Sequence, residues 1–210
     1  NKYYASLLVK EQYKPKSKTA KQLGIDLGIK DFATFSDGTK VANPKHLLKS
    51  LKKMKRLQRQ LSRKVKGSKN RDKARIKVAR LHSKIANQRA DFLHKLSTQI
   101  INENQVICVE TLSIKEMMKT KHIARLVGSL GLNQFINMLR YKSEWNEREL
   151  IQIDRWFPSS KTCFECGTVN KDLTLKDRHW KCACGAVIDR DVNAAKNILK
   201  EGLLMLHSNT

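Results

Sequence analysis

The stretch W-F-P-S-S-K-T-C-F-E-C-G (156–167), followed after a spacer by W-K-C-A-C-G-A-V-I-D-R-D-V-N-A-A-K-N-I-L (180–199), organises the reading of this chain. Cys163 and Cys166 form a C-x2-C pair, and after fifteen intervening residues Cys182 and Cys184 form a C-x-C pair. Thiolate pairs on tight turns are the usual layout of a tetrahedral four-sulfur zinc site. A glycine follows each pair (Gly167 and Gly185), where positive φ lets backbone N–H groups turn toward sulfur. The C-x-C half is tighter than the commoner spacing, which leaves a redox dithiol or an iron–sulfur centre as rivals. Four thiolates in one short ribbon favour a single structural Zn²⁺. Directly behind them, Asp189 and Asp191 open an apolar-faced helix over Val192–Leu206.

Working outward, two more acids stand out. Asp26 sits in I-D-L, and Glu110 ends V-I-C-V-E; both lie in short apolar runs that read as buried strands. An ionised carboxylate there is costly unless it is paired or bound to a metal. Taken singly, Asp26 and Glu110 are explained by ion pairs to Lys or Arg, and Asp189 or Asp191 by a helix N-cap. Taken together, they fit a two-metal phosphodiesterase. Hard oxygen ligands select Mg²⁺ or Mn²⁺, and two ions stabilise the attacking and leaving oxygens of an in-line displacement. The element order is three strands, helices, strand, helix, strand, helix. It allows the acids to converge at one sheet edge.

The strands are Gln22–Gly28, Phe32–Phe35 and Thr39–Ala42, with Asp37-Gly38 as a hairpin signal. Tyr3, Ala5, Leu7 and Val9 alternate, which predicts a strand over residues 1–13, followed by a basic linker. From Pro44, apolar residues recur at spacings of three and four through Leu47, Leu51, Met54, Leu57, Leu61 and Val65. Gly67-Ser68 interrupts them, and a second run follows from Ala74 to Ile100. This predicts a long antiparallel helical hairpin. Residues 113–121 read as basic and irregular, Gly131–Leu150 as a helix and Leu150–Ile153 as a last strand. Trp156 and Trp180 read as core packing in preference to base stacking.

Charge narrows the partner. The chain of 210 residues carries 43 Lys and Arg against 19 Asp and Glu, a formal net charge of +24, where solubility asks for a magnitude of about 2–8. From Gly38 to Arg71 there is no acid, while Lys45, Lys49, Lys52, Lys53, Lys55, Arg56, Arg59, Arg63, Lys64 and Lys66 crowd the first hairpin helix. An ordinary solvated helix balances its charges; this one reads as a face that tracks phosphates. No run of ~18 apolar residues and no signal-peptide pattern is present. Neither a membrane partner nor an oxidising compartment is therefore expected. Cys108, in V-I-C-V, reads as a buried inert thiol.

The motifs G-I-D-L-G, V-E-T-L, R-W-F-P-S-S-K-T-C-x-x-C-G and C-G-x-x-x-D-R-D-V-N-A-A-x-N-I resemble those of the TnpB (OrfB) proteins of insertion sequences. Those are RNA-guided DNA endonucleases related to type V CRISPR effectors. The resemblance runs from about Lys21 onward. It implies an α/β, RNase H-like (RuvC-like) mixed sheet with a long basic helical hairpin and an inserted zinc-ribbon-like module. It further implies a metal-binding triad of Asp26, Glu110 and Asp191 holding two Mg²⁺ or Mn²⁺, with Asp189 as a cap or supporting residue. Thr111 departs from the family pattern, in which an acid is common there.

The implied layout is a strand and linker over 1–20, as the end of a wedge domain, and a nuclease domain over 21–158 with its hairpin at about 45–103. A zinc-bearing, target-nucleic-acid-binding insert over 159–187 and a final helix over 188–210 complete it. Implied partners are a DNA target and a guide RNA, in a prokaryotic cytosol and nucleoid-associated. A non-cleaving regulator or accessory factor and a strand-transferring transposase of a mobile element are the rival readings.

Overall fold

In the computed structural model, which describes residues 3–10, 16–174 and 177–208, the chain builds one five-stranded mixed sheet and a separate two-stranded ribbon. The strands of the sheet are β1 (Gln22–Leu27), β2 (Asp31–Phe35), β3 (Lys40–Ala42), β4 (Val106–Glu110) and β5 (Glu149–Ile153), in the spatial order β3-β2-β1-β4-β5. β1, β2 and β3 form an antiparallel meander, whereas β4 lies parallel to β1 and β5 parallel to β4. Parallel strands are covered on both faces and so read as continuous apolar runs. Such runs occupy β1 and β4, the two strands that carry Asp26 and Glu110.

Strand alternation sends successive side chains to opposite faces. Leu23, Ile25, Leu27, Ile107 and Val109 enter the main core. Opposite them lie the helices α2 (Lys69–Glu103) and α5 (Leu132–Trp145), through Leu93, Leu96, Ile100, Phe135 and Leu139. Val106, Cys108 and Ile153 face the other way, against α6 (Arg190–Ser208) and its Ile198. Asp26 and Glu110 share that second face by parity. The expected buried thiol is there as well: Cys108 has no exposure, and burial pushes it up to about 12.

Two close contacts fix α6 on the sheet. A Cβ added at Gly24 would collide with the carbonyl oxygen of Ala195, and one added at Gly202 with Cys108 Sγ. Gly24 thus abuts the middle of the helix, while Cys108 abuts its C-terminal half. Moving up β1 from Gly24 to Asp26 moves toward the helix N-terminus, where Asp191 lies. Gly202→Ala should lower stability by about 1–3 kcal/mol, the usual penalty of overpacking. Thermal melts should show that loss partly restored when Cys108→Ala is added, because the clash is with that side chain.

The predicted helical hairpin is present. α1 (His46–Ser62) packs on the first half of α2 through Met54, Leu81 and Ile85, and Ser68 Oγ caps α2 by accepting from Arg71 N–H at 3.2 Å. At 35 residues, α2 is about 52 Å long at 1.5 Å per residue, so its second half reaches the sheet core. Arg148, itself buried, donates to the carbonyls of Ile101 and Ser17 and to the Gln105 side chain, tying the linker to the end of α2.

Three expectations are corrected. Residues 3–10 carry no strand and lie in solvent, with Leu8 fully exposed; residues 1, 2 and 11–15 lie outside the described residues. Alternation makes a strand only where a second strand completes the ladder, and no described neighbour does so. The irregular segment 113–121 instead contains the helix α3 (Ile114–Lys119), followed by α4 (Lys121–Leu130). Trp156 is 76% exposed, so it is not a core residue, while Trp180 is half-buried beside the cysteines. Among the described residues, no helix is long and apolar enough to cross a membrane.

Candidate metal centres and nucleic-acid interface

β1 and β4 are the two inner parallel strands around which the acidic site is built. Their register pairs Ile25 with Val109, so Asp26 and Glu110 follow side by side at the C-terminal ends of the strands. The two carboxyls share a hydrogen bond, and the Leu27 N–H donates to Glu110. Burial raises both above the ordinary carboxylate range. For Asp26 the negative charges of Glu110 and then Asp191 raise it further, against a smaller opposing effect of Arg190. Two half-buried acids pressed together, with a third acid in their field and only a smaller opposing effect of Arg190, form a predominantly anionic, oxygen-rich set. That donor set fits a hard divalent cation.

Asp191 stands in the first turn of α6 and is held differently. Its Oδ1 and Oδ2 accept from Arg178 Nη1 at 3.2 and 3.4 Å. The three carboxylates therefore come to one end of the sheet without closing into a tight trio. Asp189 serves as the helix cap, its Oδ1 accepting from the N–H groups of Asp191 and Val192, both at 3.1 Å. Burial alone would raise its carboxyl, but a hydrogen bond from Lys40 at 2.7 Å and that from Val192 hold it below the ordinary range. The meeting point is the end of the two central strands, not a lateral edge of the sheet.

The four cysteines do close. Their Sγ atoms all lie within 4.8 Å of one another, with Cys163–Cys184 at 3.8 Å and Cys166–Cys182 at 3.6 Å. A tetrahedron with metal–sulfur bonds near 2.3 Å has edges of about 3.8 Å, so the donors present fit Zn²⁺. Among the described residues this is the only such group of three or more ligating side chains. Two knuckles set it up: Gly167 N–H donates to Cys163 O at 2.8 Å and Gly185 N–H to Cys182 O at 2.9 Å, with φ of 79° and 93°. The side chain and backbone of Thr168 favour the Cys166 thiolate, lowering it to about 6. The C-x-C pair lies in the turn joining β6 (His179–Lys181) to its antiparallel partner β7 (Val187–Asp189), which runs straight into α6.

Sequence reading missed three residues here. Asn193 and Asn197, one turn apart on α6 and both buried, donate to the carbonyl of Thr162 at 2.7 and 2.6 Å, and Asn193 Oδ1 accepts from Phe164 N–H at 2.9 Å. They clamp the cysteine module onto the helix that carries Asp191. Their signal was available as two amides on an apolar helix face, where an unpaired amide is costly. Arg178 gave no signal, since nothing in its spacing separates it from the other basic residues.

On α1 and its flanks, all ten basic residues from Lys45 to Lys66 are exposed, six of them within the helix itself. Within the described residues none forms an ion pair, and the first turn of the helix holds no acid. Lys49, Lys52, Lys53, Lys55, Arg56 and Arg59 line a shallow groove of about 610 Å³.

Comparison with known proteins identifies relatives. Residues 6–121 match the family OrfB_IS605, described as "Probable transposase", and residues 133–198 match the "Cas12f1-like, TNB domain". The chain is 48% identical over 202 residues to a "Putative RNA-guided DNA endonuclease" of Streptomyces pristinaespiralis, covering 96% of this chain and 50% of that protein. It is 33% identical to "Putative RNA-guided DNA endonuclease InsQ" of Escherichia coli (strain K12), covering 98% of this chain and 55% of that protein. The chain thus spans about half the length of these curated relatives. Its fold is similar to that in a cryo-EM structure of a Cas12f1–sgRNA–target DNA complex, with a TM-score of 0.59 and 23% identity, over 85% of this chain and 49% of that one. A family match over more than half its length, joined to the sheet, the acids and the cysteine module, makes this chain a member of the TnpB (OrfB) family.

Proposed function

We propose that this chain is the RuvC-like, RNase H-fold part of a transposon-encoded, RNA-guided DNA endonuclease that depends on a divalent metal. The observation that carries the reading is the shared hydrogen bond of Asp26 and Glu110 at the ends of β1 and β4, with Asp191 near enough to raise Asp26. Asp26, Glu110 and Asp191 would hold two Mg²⁺ or Mn²⁺, and Cys163, Cys166, Cys182 and Cys184 one structural Zn²⁺. Bound at the acids, the pair of ions would supply a nucleophile at neutral pH and stabilise charge on the attacking and leaving oxygens.

The chain's own residues do the rest. The strand ends fix Asp26 and Glu110 in register, and α6 fixes Asp191 against them through its close approach at Gly24 and Gly202. Arg178 is the one cation hydrogen-bonded to these acids among the described residues. It stands where an incoming phosphate needs a positive partner. The cysteine insert (159–187) borders the site through Asn193 and Asn197, and the basic hairpin at about 45–103 offers a long phosphate-binding face to target DNA and guide RNA.

The test is a cleavage assay with guide RNA and the remaining region of a relative supplied. Cutting should require Mg²⁺ or Mn²⁺ and disappear in Asp191→Asn. Metal-independent cutting, or full activity in that variant, would refute a divalent-metal catalytic site at these acids; binding without cutting under every metal would leave a non-cleaving regulator. The basic face has its own readout. The triple reversal Lys52→Glu, Arg56→Glu, Arg59→Glu should flatten the dependence of log K on log salt by roughly 0.7–0.9 for each phosphate no longer neutralised. Thermal stability should be unchanged, because all three side chains are exposed.

A further inference from the structure

We propose that Trp156 is a stacking platform for an unstacked base of the strand led to the acidic site, a role that rests on the nucleic-acid reading above. Its position in the sequence, between an apolar strand and the first cysteine pair, points to the core. The structure instead leaves 76% of it in solvent. Exposed apolar side chains occur singly on most surfaces, so exposure alone decides nothing. What separates Trp156 is how it is held and where.

The ring is posed from its backbone and from one face. Trp156 N–H donates to Asp154 Oδ1 at 2.7 Å, which fixes the turn after β5. The Arg155 guanidinium carbon lies 4.4 Å from the centroid of the indole ring, and Arg155 Nη2 donates to Glu116 Oε2 on α3 at 2.8 Å. One face of the ring is thus set against a cation that is itself anchored to a neighbouring element. An aromatic ring fixed in this way loses little further freedom when something stacks on it.

The location ties the ring to the acids. Glu110 pairs in register with Ile153, and Thr111 Oγ1 donates to the carbonyl of Ile153 at 2.7 Å. Trp156 is three residues beyond Ile153, at the same end of the sheet as Asp26 and Glu110. A strand with a phosphate at the acids would therefore pass the ring within a few nucleotides. Charge selects the partner: with a net charge of +24 and Arg155 under the indole, a polyanion with flat apolar bases fits better than an apolar protein surface. Bases inside a duplex already stack on both faces, so the ligand is single-stranded or a frayed end.

The experiment is a titration of the whole zinc-loaded chain with a short oligothymidylate, without added Mg²⁺ or Mn²⁺, following tryptophan emission. Wild type should bind with quenching. Trp156→Phe should bind almost as well yet lose most of the quench, while Trp156→Ala should bind roughly 5- to 100-fold more weakly. An abasic site scanned along the oligomer should, at one position, weaken wild type by a similar factor and have no further effect on Trp156→Ala. Quenching that persists in Trp156→Phe, alanine binding within about twofold of wild type, or an abasic penalty equal in both proteins would overturn the proposal. So would a dimer that dissociates in Trp156→Ala, since the ring would then be docking a second copy. Absence of any binding by wild type would instead refute the nucleic-acid reading beneath it.

Discussion

Asp26→Asn should abolish metal-dependent cleavage, by at least ~10³-fold, while making the protein more stable in the absence of Mg²⁺ and Mn²⁺. The first effect follows from removing one of the three carboxylates that would hold the proposed ions, whose charge stabilisation amounts to several kcal/mol, at about 1.4 kcal/mol per tenfold in rate. The second follows from the electrostatics of the pair. Burial, Glu110 and Asp191 raise the Asp26 carboxyl well above its ordinary range, so its ionised form is disfavoured in the folded chain.

A group with a raised folded pKa contributes its stability below the unfolded pKa and loses it as pH rises through the folded value. Without Mg²⁺ or Mn²⁺, wild type should therefore lose stability relative to Asp26→Asn between about pH 4 and neutrality, and the two should converge in acid. Asparagine keeps the shape, can donate to Glu110 and carries no charge. A gain of about 0.5–2 kcal/mol is expected at neutral pH, the scale on which active sites trade stability for function. Differential scanning calorimetry of the zinc-loaded protein, without added Mg²⁺ or Mn²⁺, across that range reads it directly. A variant less stable than wild type at neutral pH would mean that Asp26 is held by an ion pair and is no candidate ligand.

The second large effect concerns the cysteines. Apart from Cys163 and Cys182, the apolar core of the ribbon consists of little more than Ile188, Trp180 and Ala186. That is too little to hold a small unit folded, and structural zinc contributes apparent free energies of about 10–16 kcal/mol to comparable sites. Cys163→Ser, or removal of metal by a strong chelator, should therefore melt the region around 159–187. The main core would remain folded, since it is built from separate residues. Hydrogen exchange would show protection disappearing in that region and persisting in β1, β4 and α5. Cleavage should fall as well, because the same unit carries Arg178 and leads into the helix bearing Asp191. Protection unchanged after chelation, with no zinc by elemental analysis, would remove the metal from the account.

Much of this was legible because it depends on local rules. The hairpin of α1 and α2 follows from apolar residues at helical spacing, the parallel strands from continuous apolar runs, and the sulfur cluster from paired cysteines with glycines behind them. The convergence of Asp26 and Glu110 was legible only in outline, since an acid in a buried run signals a partner without naming it. What stayed hidden depends on the third dimension. Arg178 resembles every other basic residue until folding sets it on Asp191. Gly24 and Gly202 look like ordinary glycines until the helix crosses them. Trp156 carries the signature of a core residue, and only the turn after β5, tied by Asp154, shows that it faces water.

The most direct measurement of the central claim is anomalous diffraction from crystals of the chain soaked in Mn²⁺. Density is predicted between Asp26 and Glu110, with a second peak reaching Asp191. The hydrogen bond between the two carboxyls should be broken and Arg178 displaced from Asp191. Saturating Mn²⁺ that leaves Asp26 bonded to Glu110, with no peak beside either, would contradict the two-metal reading.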